Sequence, residues 1–173
     1  LKQAMGPYDN QMMRSIDKQL KIKKWFEILP KLQSSVLDLF YDFKNDFLVV
    51  ATSSNGLFFI QKNKILYHIT RRDGLNSIAC NSIKKLTDKY YLIGSNNGVN
   101  GILLEKNHFE VKNINSLLGL KNKKINDIDC LDNMVYLATD EGLLYFDIQK
   151  IRRKKIHPIC NIEYIKNQNQ YTQ

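Results

Sequence analysis

Short runs of apolar residues separated by polar turns recur along the chain. In one stretch four runs follow one another, namely Val36–Asp42, Phe47–Thr52, Leu57–Gln61 and 64–70. Each run is rich in β-branched and aromatic residues and is bounded by Gly, Asn or Asp. Runs of this length and composition between turn residues are typical of β-strands. The pattern therefore predicts two successive hairpins.

The end of the second run and its turn recur three times. Each copy has a small residue, several polar residues and a glycine, and the small residues are 43 and then 44 positions apart. The small residues are Ala51, Gly94 and Ala138, and the glycines are Gly56, Gly98 and Gly142. Lys-Asn pairs at 62–63 and 106–107, and leucines at positions 32, 75 and 120, repeat at nearly the same spacing. Three separate sets of residues thus recur at nearly the same spacing, which indicates a repeat architecture.

Four short strands in roughly 40 to 45 residues is the size of one propeller blade. A helical solenoid can have a similar period, but the runs are too short and too often broken by turns. We therefore predict an all-β fold of four-stranded antiparallel β-propeller blades, about 32–74, 75–118 and 119–149. Closed propellers usually have about four to eight blades, so three indicate part of a larger propeller.

The two ends of the chain fit the repeat less well. Residues 1–31 are interpreted as the outer strand of a preceding blade or a lead-in, with a helix over 15–29 as the alternative. Residues 150–173 are interpreted as a basic linker followed by the start of another domain. The chain begins with Leu rather than Met, so a targeting segment could lie upstream.

The small residues and turn glycines have an architectural explanation. Ala51, Gly94 and Ala138 fall where packed blades would leave little room for a side chain. Each following glycine lies in a tight turn that we expect to need a positive φ. The second copy has about two extra residues near Val99 and Asn100, which suggests a β-bulge.

Charge alone does not identify a partner. The chain has 173 residues, with 26 Lys and Arg against 17 Asp and Glu, a formal net charge of +9. The basic residues are scattered apart from a cluster at 152–155, so we do not expect nucleic acid as a partner. Cys80, Cys130 and Cys160 are interpreted as isolated thiols with no zinc-type spacing. One disulfide bond between two of them is the alternative. We expect no metal and no cofactor, and no apolar run is long enough to span a membrane.

The repeats resemble the two-component regulator propeller repeat. That pattern runs from Gly-Leu-x-x-Asn/Ser through a strand to an aliphatic residue, Gly or Ala, Thr, polar residues and Gly-Leu. Residues 73–77, 93–98 and 137–143 fit it, as do 50–57. The family often has Trp in the second strand, where this chain has Val49, Leu92 and Tyr136.

The resemblance implies the sensor domain of a bacterial hybrid two-component histidine kinase. Such a domain is periplasmic or extracellular, belongs to a membrane-anchored protein that can act as a homodimer, and in well-known members has carbohydrate ligands. Residues 158–164 are similar to the start of the immunoglobulin-like triple-tyrosine domain that follows these propellers.

Propeller topology predicts that the turn after each second strand lies on the same face as the loop entering the next blade. That face collects amides, hydroxyls and charges suited to a polyhydroxylated or anionic ligand. Arg71 and Arg72 are the strongest candidates, since a planar guanidinium group can donate two parallel hydrogen bonds to a carboxylate or sulfate group. The predicted binding residues are Ser53, Asn55, Arg71, Arg72, Asp73, Asn76, Asn96, Asn97, Lys121, Asp140 and Glu141, with Ser54 and Lys123 beside them.

Catalysis is not indicated by the sequence. Two groups of carboxylates could supply an acid and base pair of the glycosidase kind, but nothing selects two members. They are Asp38, Asp42 and Asp46, and Asp127, Asp129 and Asp132. No nucleophile-elbow or phosphate-loop motif is present, so we expect a non-enzymatic input propeller. The alternative is a scaffolding propeller or a fragment of a propeller lyase or hydrolase.

Overall fold

Three antiparallel β-sheets follow one another along the chain. The structure is a computed structural model that describes residues 33–106 and 108–149, which fall in one compact unit beginning at Gln33. Blade one contains β1 (Val36–Asp42), β2 (Phe47–Thr52), β3 (Leu57–Gln61) and β4 (Lys64–Ile69). Blade two contains β5 (Cys80–Lys85), β6 (Tyr90–Ser95), β7 (Gly98–Leu104) and β8 (Phe109–Asn113). Blade three contains β9 (Ile125–Leu131), β10 (Met134–Thr139) and β11 (Gly142–Asp147).

Each sheet is a meander in which consecutive strands pair. The first two sheets have the orders β1-β2-β3-β4 and β5-β6-β7-β8, and the third has β11-β10-β9. A turn of 3-10 helix (Arg71–Asp73) and the short helix α1 (Asn115–Leu118) lie in the connections between blades. The predicted all-β fold of four-stranded antiparallel blades is confirmed.

Several predictions fall on residues that the structure does not describe. They are the assignments for 1–31 and 150–173, the helix alternative at 15–29, the basic cluster at 152–155, Cys160, and a fourth strand of blade three near 150–155. The domain limits therefore stay predictions.

The hydrophobic core lies between the sheets. The first strands pack side by side, β1 against β5 and β5 against β9, as the strands nearest a propeller axis do. One apolar cluster joins blade one to blade two and includes Phe59, Tyr91 and Ile93, all fully buried. A second cluster joins blades two and three and includes Leu92 and Leu137. Blade two is therefore covered by a neighbouring blade on both of its faces.

The turn glycines have the backbone geometry that the sequence predicts. Gly56, Gly98 and Gly142 have φ values of 73°, 88° and 125°. Packing also explains the small residues before the first two turns, whereas Ala138 before the third is partly exposed. Ala51 is fully buried, and a Cβ on Gly94 would lie 2.4 Å from the hydroxyl of Ser82.

The predicted bulge near Val99 and Asn100 is wrong. β6 and β7 pair without a register shift from Tyr90 to Ser95, and β7 is seven residues long where β3 has five. The extra residues lengthen the strand instead of bulging from it, and the side chain of Asn100 within it bonds to the connection before β5. Register shifts lie instead in the innermost strands, where Leu37, Asn81 and Asn126 are the additional residues, and in β4, where Leu66 is.

Candidate functional site

The loops that the sequence predicts to share a face are joined by backbone hydrogen bonds. Gly56 N donates to Ile78 O and Gly98 N donates to Lys123 O, both at 2.8 Å. Asn96 N donates to Ala79 O at 3.1 Å. The turns after β2 and β6 are thus tied to the connections that enter blades two and three. We call this set of turns and connections the loop face, comprising residues 53–56, 70–79, 96–97, 114–124 and 140–141.

The Arg pair of the loop face lies on a short, capped turn. Thr70 caps the 3-10 turn, and the Asp73 carboxylate accepts the Thr70 N–H at 2.8 Å. Gly74 closes the turn with a φ of 109° and packs against Val111 of β8. Asp73 therefore has a structural role. Arg71 and Arg72 are exposed, and neither forms an ion pair with any residue in the described part of the chain.

Two of the predicted asparagines are engaged within the fold. Asn76 N donates to Asn100 Oδ1 at 2.9 Å, and the Asn76 side-chain amide donates to Val99 O at 3.2 Å. The amide of Asn97 in turn donates to Asn76 O at 3.5 Å. These contacts fasten the connection before blade two onto β7.

Asn100 is a residue that sequence reasoning missed. It is fully buried, and its amide donates to Gly74 O at 3.1 Å and to Lys112 O at 3.4 Å. A buried polar residue inside an apolar strand was the available signal. Asn100 holds the segment that carries Arg71 and Arg72.

We expect Asn100→Ala to destabilise the protein by about 2 kcal/mol, because it leaves buried backbone groups without partners. Urea unfolding followed by circular dichroism measures this loss. Asn126→Ala, at an exposed amide, is the matched control and should cost less. Equal losses in the two variants would contradict the role assigned to Asn100.

The polar residues of the other turns mostly pair with each other. The Asn81 amide donates to Asn96 Oδ1 at 3.0 Å, and the Asn126 amide donates to Asp140 Oδ1 at 2.8 Å. Lys123 contacts Glu141, and Lys124 Nζ lies 3.9 Å from Asp140 Oδ1. In blade one, the hydroxyls of Ser53 and Ser54 both bond with Ser34 Oγ, and Asn55 O bonds with His68 Nε2.

The loop face therefore leaves a small cationic set available for a ligand. Arg71, Arg72 and Lys121 are exposed and form no ion pair within residues 33–106 and 108–149. Anionic groups that contact such a face would be held by charge-assisted hydrogen bonds.

A second concave region runs along the innermost strands. A groove of about 640 Å³ is lined by β1, β5 and β9 and by the turn after β5. Lys84 contacts Asp129 across it, and this contact raises the pKa of Lys84 and lowers that of Asp129. Asp38 Oδ2 accepts the Ile83 N–H at 2.7 Å. The carboxylates of Asp38 and Asp129 therefore connect neighbouring blades.

Asp42 lies deeper in the contact between blades one and two. It is 1% exposed and accepts hydrogen bonds from Lys85 Nζ at 2.7 Å and from the hydroxyl of Tyr91. Burial alone raises its pKa, but the bonds from Lys85, Tyr91 and Asn45 outweigh this and lower the pKa to about 2. The pKa of Tyr91 is raised, mainly by burial and to a lesser extent by its hydrogen bond to Asp42.

Among the residues that the structure describes, no three His, Cys, Asp or Glu side chains are grouped as a metal site. Cys80 and Cys130 are free thiols, and burial raises the pKa of Cys80 to about 12. Residues 33–106 and 108–149 contain no helix with the length and apolar character needed to cross a membrane.

The fold and its inter-blade contacts define a segment of a β-propeller. A solved structure with this architecture is the β-propeller domain of Cps50 (Swd1) from Myceliophteria thermophila. The match has 10% identity and a TM-score of 0.50, and covers 86% of this chain but 44% of that one. The chain thus spans less than half of that propeller's length.

Another match is the extracellular domain of a protein assigned to the hybrid two-component systems of B. thetaiotaomicron. It has 15% identity and a TM-score of 0.32, covering 66% of this chain and 22% of that one. No protein-family model and no curated protein sequence matches the chain.

Proposed function

We propose that the chain is part of the input propeller of a bacterial two-component sensor and binds an anionic oligosaccharide on its loop face. The observation that carries the ligand proposal is the exposed pair Arg71 and Arg72 on a turn fixed at both ends. The ligand class is an oligosaccharide that bears carboxylate or sulfate groups.

The local structure supports a binding role for this pair. The Thr70 cap, the Asp73 bonds and Gly74 fix the backbone of the turn, so two guanidinium groups project from a rigid base. Planar guanidinium groups bind carboxylate and sulfate with two parallel hydrogen bonds, whereas Lys provides a single point charge. Lys121 adds a third cation in the connection that enters blade three.

The sensor role is supported by the repeat pattern rather than by the solved structures, whose low identities bear on the fold alone. Under this proposal the segment lies in the periplasmic or extracellular part of a membrane-anchored protein. Ligand binding would alter the downstream kinase. The reading frame beyond Gln173 tests this part separately, because we expect a membrane span and a kinase or DNA-binding domain there, and a stop codon would contradict it.

Removal of both guanidinium groups is expected to weaken binding of an acidic oligosaccharide by about 10- to 100-fold. A change of this size corresponds to the loss of one or two charge-assisted hydrogen bonds. Calorimetry would compare the chain with the Arg71→Ala/Arg72→Ala variant. The probes are a sulfated, a uronic-acid and a neutral tetrasaccharide. The neutral probe should give no heat with either protein.

A charge-matched control separates a site from general attraction. Lys64→Ala/Lys106→Ala removes two exposed cations near the hairpin turns at the opposite end of the strands and should keep the affinity. Equal losses in the two double variants would show that net charge alone attracts the ligand. Absence of heat with both acidic probes would refute the ligand proposal.

A further inference from the structure

The connection that enters blade two crosses the end of that blade from its outer strand to its inner strand. Gly74 packs against Val111 of β8. Further along, Ala79 O accepts the N–H of Asn96 in the turn after β6, and β5 follows directly. The connection therefore runs over the end of the sheet from β8 to β5, with the two arginines at its outer end.

The loop face of blade two has both of its neighbours in the described structure. One apolar cluster covers the blade on the side of blade one, and a second covers it on the side of blade three. The connection is held on the turn after β6 by the Asn97 amide, which donates to Asn76 O, and by the bond between Asn96 and Ala79. Polar groups along this connection and turn therefore have fixed relative positions.

Asn96 has an outward-facing hydrogen-bond donor. The Asn81 side-chain nitrogen donates to Asn96 Oδ1 at 3.0 Å and to Ile125 O at 2.8 Å, so both of its hydrogens are used. The Asn96 amide cannot turn over without placing two N–H groups against each other. Asn96 is exposed, and its side-chain nitrogen donates to no acceptor within residues 33–106 and 108–149. This nitrogen is therefore available to a ligand.

The repeat does not require an amide at this position. Blade three has Asp140 there, and Asp140 Oδ1 accepts the equivalent bond from Asn126 at 2.8 Å. A carboxylate oxygen and an amide oxygen serve the fold equally well, but only the amide has hydrogens to donate. The uncharged donor of Asn96 is thus a feature of blade two that the architecture does not explain.

An apolar side chain lies beside this donor. Ile78 precedes Ala79 and is 39% exposed, and its carbonyl accepts the N–H of Gly56 from blade one. The equivalent residue in the next connection is Lys123, whose carbonyl accepts the N–H of Gly98. An exposed aliphatic side chain next to a hydrogen-bond donor suits a sugar ring, which has C–H groups on its faces and hydroxyl groups at its edge.

We propose that the ligand of the loop face lies along blade two, with its anionic group on Arg71 and Arg72 and a neutral sugar residue on Ile78 and Asn96. This inference rests on the proposed function and adds a second subsite and the direction of the ligand. β8 and β6 are two strand spacings apart, about 10 Å. The ligand class is therefore an oligosaccharide with its charge at the end that lies over β8 and at least one uncharged residue over β6.

NMR titration of the isotope-labelled 173-residue chain tests this arrangement. The probes are sodium sulfate and a disaccharide that carries a sulfate group on one of its two residues. Sodium sulfate should shift the signals of Arg71 and Arg72 alone. The disaccharide should also shift the side-chain amide signals of Asn96 and the methyl signals of Ile78, because its neutral residue contacts both.

Asn96→Ala removes the donor without changing the net charge. It should weaken disaccharide binding by about 3- to 10-fold, which corresponds to the loss of one hydrogen bond. Sulfate binding should not change, because sulfate contacts only the two arginines. Asn133→Ala is the matched control, at an exposed asparagine between β9 and β10 at the opposite end of the strands, and should bind both probes as the wild type does.

The outcomes distinguish this inference from the proposed function. Disaccharide shifts confined to Arg71 and Arg72, with unchanged affinity in Asn96→Ala, would overturn the second subsite and leave the anionic site intact. Equal losses for sulfate and disaccharide in Asn96→Ala would also overturn it, because the variant would then have disturbed the turn that carries the arginines. Absence of shifts at Arg71 and Arg72 with both probes would refute the proposed ligand site and this inference together.

Discussion

Replacement of Asp42 by alanine is expected to lower the free energy of unfolding by about 3 to 5 kcal/mol, the usual cost of removing one partner of a buried ion pair. The carboxylate joins blade one to blade two through Lys85 and Tyr91, and its side chain has no exposed surface. Without it, a largely buried ammonium group and a buried phenol lose their acceptor. Urea unfolding of the wild type and the variant measures the loss.

Asp88→Ala is the matched control for this substitution. The contact between Lys44 and Asp88 also crosses from blade one to blade two, but both side chains are more than 60% exposed. Water solvates the freed ammonium group in this case, so stability should change little. Similar losses at Asp42 and Asp88 would show that burial does not determine the importance of the contact.

The same carboxylate should make stability depend on pH in the acid range. Its pKa is lowered from 3.8 to about 2 in the folded protein, so the folded state binds this proton less readily than the unfolded state. The resulting stabilisation is complete above pH 3.8 and decreases as the pH falls toward 2. Asp42→Asn should flatten this part of the stability profile, and an unchanged slope would contradict the assignment.

The fold could be predicted largely because the repeats constrain it. The turn of Ala51 to Leu57 fixes one hairpin, and its recurrence at Gly94 and Ala138 locates the same hairpin in each blade. Alternation of apolar residues does not show which contacts link the blades. Asp42 and Tyr91 are 49 positions apart, and nothing local in either residue's neighbourhood indicates the bond.

The loop face could be predicted only as a set of polar residues. Topology places the turns at one end of the sheets, but the structure separates residues used internally from those left exposed. Asp73 caps a turn and Asn76 fastens a connection, whereas Arg71 and Arg72 stay without an ion pair in the described structure. Side-chain pairing depends on distances of a few ångströms, which a repeat pattern does not specify.

Replacement of Gly56 by alanine should lower the free energy of unfolding about 2 kcal/mol more than the same substitution at Gly142, because overpacking against rigid atoms typically costs 1 to 3 kcal/mol. Both glycines have positive φ, so alanine is strained at either position. They differ in their surroundings. At Gly56 the new Cβ would lie 2.2 Å from the backbone oxygen of Ile69, whereas at Gly142 nothing lies within 4 Å.

The comparison isolates the effect of close packing from that of backbone strain. Ile69 O belongs to β4, so it can move away from a methyl group only if the strand pairing at Leu57 shifts. Urea unfolding of the two variants at one protein concentration measures the difference. Equal losses would mean that the turn relaxes and that the glycine is required for its φ alone. A larger loss at Gly142 than at Gly56 would contradict the role assigned to close packing against Ile69 O.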